Sequence, residues 1–205
     1  MIVLQEESVM ERKLKSSIVT VQKLHQAMIR LLNNQEYEKI SVAGIAKEAE
    51  LNRTTFYLFY SSKEELIYDI CDTFLDEYIE IFMDWLDKNG KEEEVKDYQK
   101  AFENLSKHEK VIKALWNIQE EKFNPYKIME RSVAKTVYHF LEKENIQMKN
   151  GGQTDFFADL YAANVMATVK WWIYNYQDFT INYVYGVIKD CQEKGLFSLL
   201  ENKKS

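Results

Sequence analysis

Proline occurs once and glycine six times in this chain of 205 residues. Reverse turns draw on these two residues more than on any others, because one presets φ and the other reaches positive φ at no steric cost. A sheet-rich fold of this length needs many turns, so sandwiches, barrels and proline-rich linkers are excluded and the predicted fold class is all-α. The chain is 46% apolar and 29% charged, which is the balance of a globular protein rather than a disordered one. Its length allows roughly 70% of the unfolded surface to be buried without staples. Cys71 and Cys191 fit no metal or redox spacing, so free thiols and a reducing, cytoplasmic setting are expected. The opening Met1-Ile2-Val3-Leu4 has no long apolar core and no cleavage site, so no secretory leader is expected. The most apolar stretch, 160–174, is broken by Asn164 and Lys170 and is too short to cross a bilayer, so no membrane partner is expected.

Hydrophobic spacing predicts helices in order. Val21, Leu24, Met28, Leu31 and Leu32 mark an amphipathic helix over 17–33, with Arg12, Lys13 and Lys15 as a charged lead-in. Ser41 then reads as an N-cap, with Ile40 and Ile45 in the places of a hydrophobic staple around a short helix to about Ala49. The same grammar repeats at once. Asn52 is the cap, Leu51 and Phe56 the staple, and the helix runs over about 53–59. Ser62-Lys63-Glu64-Glu65 is a capping box opening a long helix over about 63–86. Further helices are predicted at about 91–105, 107–118, 125–144, 154–176 and 180–194, nine in all. Their starts are marked by Ser106 with Glu109, Asn124-Pro125, Thr154 and Thr180, and Gly195 closes the last.

Two short helices joined by a tight turn behind a longer supporting helix are the elements of a helix-turn-helix, which lays its second helix in the DNA major groove. The run from Ser41 to Leu66 closely resembles the DNA-binding signature of the tetracycline-repressor-like (TetR) family. The features that carry it are Ile45-Ala46 with Ala49, the cap at Asn52, Thr55-Phe56-Tyr57 and Ser62-Lys63-Glu64-Glu65-Leu66. Glu50 stands at a turn position where glycine is common, which implies a left-handed residue or a different turn. The resemblance divides the chain into a DNA-binding domain, 1–62, and an effector-binding and dimerisation domain, 63–205.

The expected DNA contacts follow from residue chemistry. Arg53 can fork onto guanine, while Thr54 and Thr55 can touch a phosphate or a thymine methyl. Tyr57 matches the family's phosphate-contacting tyrosine, and Tyr60 is a further backbone candidate. Ser41, Asn52 and Lys63 sit at helix starts, where amides and polar side chains can share a phosphate. Ala43 and Gly44 give the first helix of the pair little reach, which leaves base reading to residues 52–58. Residues 1–65 carry nine basic and nine acidic side chains, and the net charge of −6 falls on the rest, so DNA must be held by local geometry rather than long-range attraction.

The resemblance also implies a small-molecule effector pocket in the bundle, for which Trp116, Phe123, Tyr126, Tyr161 and Trp171 are candidates. It implies dimerisation through the last two helices, for which Ala163, Ala167, Trp172, Val184 and Ile188 are candidates. Trp171 and Trp172 cannot both face one core, because adjacent helical positions are about 100° apart. The expected reading is a homodimeric, ligand-responsive regulator, a repressor, on a double-stranded pseudo-palindromic operator. Neither a cofactor nor a metal is expected: His25, His108 and His139 form no metal or triad spacing, and catalytic residues are absent from the pattern. Two other readings keep the sequence: a module of the same fold acting on a partner regulator, and a small helical enzyme, which lacks any acid–base or nucleophile constellation.

Overall fold

A computed structural model describes residues 2–87, 102–118, 120, 123–195 and 200–202. Three helices form the head: α1 (Ile2–Leu32), α2 (Val42–Glu48) and α3 (Arg53–Tyr57). The long α4 (Lys63–Asp87) leads into the bundle of α5 (Glu109–Trp116), α6 (Pro125–Lys143), α7 (Thr154–Asn175) and α8 (Ile181–Lys194). The helix predicted at 91–105 falls mostly outside the described residues, and 102–107 is helical. Between α6 and α7, β1 (Ile146–Met148) pairs antiparallel with β2 (Leu200–Asn202), Gln147 opposite Glu201. This two-stranded ribbon is the one departure from the all-α reading among the described residues, and three-residue strands leave no alternation to read.

Leu24, Ala27 and Met28 of α1 are buried against Ile45, Ala46, Phe56, Leu66 and Ile67, so the head and the first turns of α4 share one core. α1 extends back to Ile2, well before Ser17. The Arg12–Lys15 lead-in is therefore helical backbone continuous with α1; no glycine or proline interrupts it, and helix propensity carries on where the apolar stripe fades. The side chains of Arg12 and Lys13 lie outside the described residues.

In the bundle α6 packs along α7 and against α4. Asn124 caps α6 by accepting from the Lys127 amide at 3.1 Å, with Pro125 at its first turn. Thr180 caps α8 through the Tyr183 amide. Ser106 caps nothing: its hydroxyl donates to the Glu103 carbonyl, and His108 precedes α5. Gly195 ends α8 where a Cβ would stand 2.5 Å from the Cys191 carbonyl oxygen, so only glycine fits. No helix among the described residues is long and apolar enough to cross a membrane.

The tryptophan pair resolves opposite to the expectation. Trp172 is 3% exposed and packs edge-on against Phe102, whereas Trp171 is 41% exposed and meets Phe179. Val184 is likewise buried within the single chain, so Trp172 and Val184 are core residues rather than interface residues. Ala163 is half-buried and Ala167 exposed. Ile188 lies on α8, and its side chain lies outside the described residues.

Candidate nucleic-acid interface

The head is built by its caps. Ser41 Oγ accepts the Gly44 amide at 3.1 Å and starts α2. Asn52 Oδ1 accepts the Thr55 amide at 2.7 Å and the Thr55 hydroxyl at 2.9 Å and starts α3. Ser62 Oγ accepts the Glu65 amide at 3.2 Å, while the Glu65 carboxylate reaches back to Ser61, holding its amide at 2.6 Å. Ser41 and the oxygen of Asn52 therefore act first as caps. Between α2 and α3, Glu50 has φ of 57°, the left-handed conformation that the missing glycine implies. A side chain there costs about 1–2 kcal/mol. Glu50→Gly is expected to raise the head's unfolding free energy by about 1 kcal/mol without changing its contacts, read by urea denaturation.

The inner side of α3 is Phe56, fully buried. The outer side is Arg53, Thr54, Tyr57 and, just past the helix, Leu58, all exposed, Leu58 by 77%. Arg53 Nη2 donates to the Tyr57 hydroxyl at 3.0 Å, and the guanidinium lies 5.3 Å from the Tyr57 ring centre. Leu58 lies at the end of the 52–58 span expected to read bases but was not singled out there; two positions on from Phe56, it points away from the buried side of α3.

Two expected DNA contacts turn inward instead. Tyr60 is 6% exposed, and its hydroxyl donates to the Asp69 carboxylate and lies 3.2 Å from His25 Nε2. Burial, then the bond to Asp69, pushes its pKa well above the usual phenol range. The chain leaves α3 after Tyr57 and folds Tyr60 under the helix, against Phe56. Lys63 donates its ammonium to the Tyr37 carbonyl at 2.9 Å and covers the Tyr37 ring at 3.8 Å, so it clamps the head rather than reaching outward. His25, which also holds Asp69 at 2.9 Å, was legible as a polar break in the Val21, Leu24, Met28 stripe; Asp69 carried no such signal.

Tyr37 is the joint. Its hydroxyl donates to Glu64 at 2.6 Å, and its ring stacks on Phe123, which also meets Tyr68 edge-on. Burial works to raise the Glu64 carboxyl, but the bonds from Tyr37, its own amide and Ser62, with the Lys63 charge, hold it below the usual carboxylate range. A lowered carboxylate pKa stabilises the fold above its unfolded value and loses that contribution as pH falls through the folded value. Tyr37→Phe is therefore expected to cost about 1 kcal/mol at neutral pH and much less once Glu64 is protonated, read by urea denaturation at pH 7 and below the carboxylate range.

Phe74, Leu75, Tyr78, Trp116, Met129 and Val165 line a bundle cavity of about 30 Å³, room for little more than a water. Of the expected pocket residues, Trp116 lines it, and Tyr126 packs edge-on behind Trp116 with the Lys170 ammonium over its ring. The other three do not. The turn before α6 carries Phe123 to the joint, the outer face of α7 carries Trp171 to the surface, and Tyr161 lies in the fully buried core stacked on Phe157. No group of three metal-ligating side chains occurs among the described residues.

A capped pair of short helices whose outer face stands clear of its core is a helix-turn-helix, the unit that lays its second helix in the DNA major groove. Residues 25–70 match the sequence profile of bacterial regulatory proteins of the tetR family. It is 32% identical over 82 residues to the HTH-type dhaKLM operon transcriptional activator DhaS of Lactococcus lactis, a match covering 40% of this chain and 42% of that one. Solved structures extend the likeness of fold to the bundle. A TetR transcriptional regulator from Streptococcus agalactiae covers 91% of this chain and 99% of its own, with 21% identity and a TM-score of 0.58. FadR of Thermus thermophilus, a repressor in complex with lauroyl-CoA, covers 85% and 94%, with 14% identity and a TM-score of 0.53.

Proposed function

We propose that the protein is a cytoplasmic, ligand-responsive repressor that binds a pseudo-palindromic operator as a homodimer. The observation that carries the reading is the outer face of α3. Arg53, Thr54, Tyr57 and Leu58 project from a helix whose other side is locked by Phe56, and they combine a guanine-reading fork, a hydroxyl and an apolar tip suited to a thymine methyl. The DNA-binding role is assigned to residues 1–62 and the effector and dimer roles to 63–205.

The effector reading rests on α4. Its Phe74, Leu75 and Tyr78 wall the bundle cavity, while its Leu66 and Ile67 lie in the head core. An effector that opens the cavity must displace α4 or its neighbours, and the head moves with α4. Such a ligand shifts the population only by its preference for one state. The apolar lining fits an apolar or acyl-bearing small molecule, in keeping with the lauroyl-CoA bound by the Thermus regulator. The Lactococcus lactis relative is a transcriptional activator, so the proposed repressor sign is checked by whether the flanking gene's expression rises when the protein is deleted.

The dimer reading rests on an apolar stripe that the single chain leaves uncovered: Phe156, Leu160, Trp171 and Tyr174 on α7, joined by Phe179 to Tyr183 and Val187 on α8. The test of function is binding to DNA flanking the protein's own gene against random duplex, with a salt titration. Tight, selective binding whose logarithm falls with slope about −0.9 per neutralised phosphate is expected. Equal binding to random duplex and to selected pools overturns the reading in favour of a module acting on a partner regulator.

A further inference from the structure

We infer that Tyr57 is a positioning residue for Arg53, orienting its guanidinium toward a guanine in the major groove; this rests on the DNA-binding reading above. Arg53 and Tyr57 are one helical turn apart on the exposed side of α3. Nη2 donates to the tyrosine hydroxyl at 3.0 Å, and the guanidinium carbon lies 5.3 Å from the ring centre. The first contact fixes a direction and the second keeps the guanidinium beside the ring. Among the described residues no carboxylate pairs with Arg53, so Tyr57 is the group that orders it.

The order matters because a free arginine has many rotamers and must lose them to read a base. The hydrogen bond to Tyr57 uses one of the five guanidinium N–H donors. The planar fork keeps others for guanine O6 and N7. The tyrosine is half-exposed and stands T-shaped to the buried Phe56 ring at 5.6 Å between centres, which seats its ring beside Arg53. Tyr57 thus acts on base preference through Arg53, which differs from the direct phosphate contact that the family resemblance implies.

The experiment starts from duplexes that the full-length protein enriches out of a random pool. The enriched duplex is compared with the same duplex carrying 7-deazaguanine, which lacks N7, at the conserved guanine of each half-site. Affinities are measured by fluorescence anisotropy for the wild type, Tyr57→Phe, Arg53→Ala and the double variant, with thermal melting to confirm equal folding. Tyr57→Phe should weaken binding to the guanine duplex roughly fivefold to tenfold and binding to the 7-deazaguanine duplex by less than about twofold. In the Arg53→Ala background it should cost nothing further. A loss of equal size on both duplexes that persists without Arg53 makes Tyr57 a phosphate contact and overturns the inference, as does no loss at all. Enriched sites without guanine overturn it while leaving DNA binding standing. No enrichment by the wild type overturns the DNA-binding reading itself.

Discussion

Phe56→Ala is expected to abolish specific DNA binding while the bundle helices stay folded. Phe56 is fully buried and lies 5.6 Å from the Tyr57 ring and 5.8 Å from the Tyr60 ring, centre to centre. It joins α3 to the Leu24, Met28, Ile45 and Leu66 side of the head core. Truncating a buried phenylalanine costs about 3–5 kcal/mol, because lost burial and the remaining cavity add. A core of this size supplies about 3–5 kcal/mol in total, so the variant head is unfolded or nearly so. The bundle is packed by other residues, chiefly α6 on α7. Far-ultraviolet circular dichroism should therefore keep most of its helical signal while operator affinity falls by more than about 100-fold. Retained operator affinity would show that α3 does not carry the reading face.

The head was legible because its signals are local. Ser41, Asn52 and Ser62 each cap the helix that follows within three residues, and each cap appears as a hydrogen bond at its expected amide. The apolar stripe of α1 likewise needs only a helical period to be read. What the sequence hid is pairing across distance. Nothing near Tyr60 announces Asp69 and His25, and nothing near Lys63 announces the Tyr37 carbonyl, yet these partners turn both side chains away from solvent.

The bundle misled in another way. Aromatic residues are frequent along α6 and α7, and frequency says nothing about which face each one takes. The roughly 100° between adjacent helical positions puts Trp171 and Trp172 on different faces, but it does not say which of the two faces the core. Orientation is set by where Phe102 packs, and Phe102 lies about 70 residues away in sequence, beyond any local period. Phe123 was misplaced for the same reason, since its partners Tyr37 and Tyr68 belong to the head and to α4.

That orientation sets up the second large effect. Trp171→Arg is expected to convert the proposed dimer to a monomer. Trp171 is 41% exposed in the single chain and forms a contiguous ring path through Phe179, at 4.8 Å, to Tyr183, at 5.5 Å from Phe179. Exposed aromatics joined in this way mark an interface, and tryptophan and tyrosine dominate interface energies. An arginine at that point would put an unpaired charge into the proposed contact, which costs several kcal/mol. Within its own chain the change touches little and should move the melting temperature slightly. Trp172→Ala is the contrast: at 3% exposure it should cost about 3–5 kcal/mol of fold stability. Light scattering should give Trp171→Arg the mass of one chain, 24.4 kDa. Its operator affinity should drop by about 100-fold or more, because two half-sites no longer bind as one unit. A Trp171→Arg protein that remains dimeric with full operator affinity would place the contact between copies on another face.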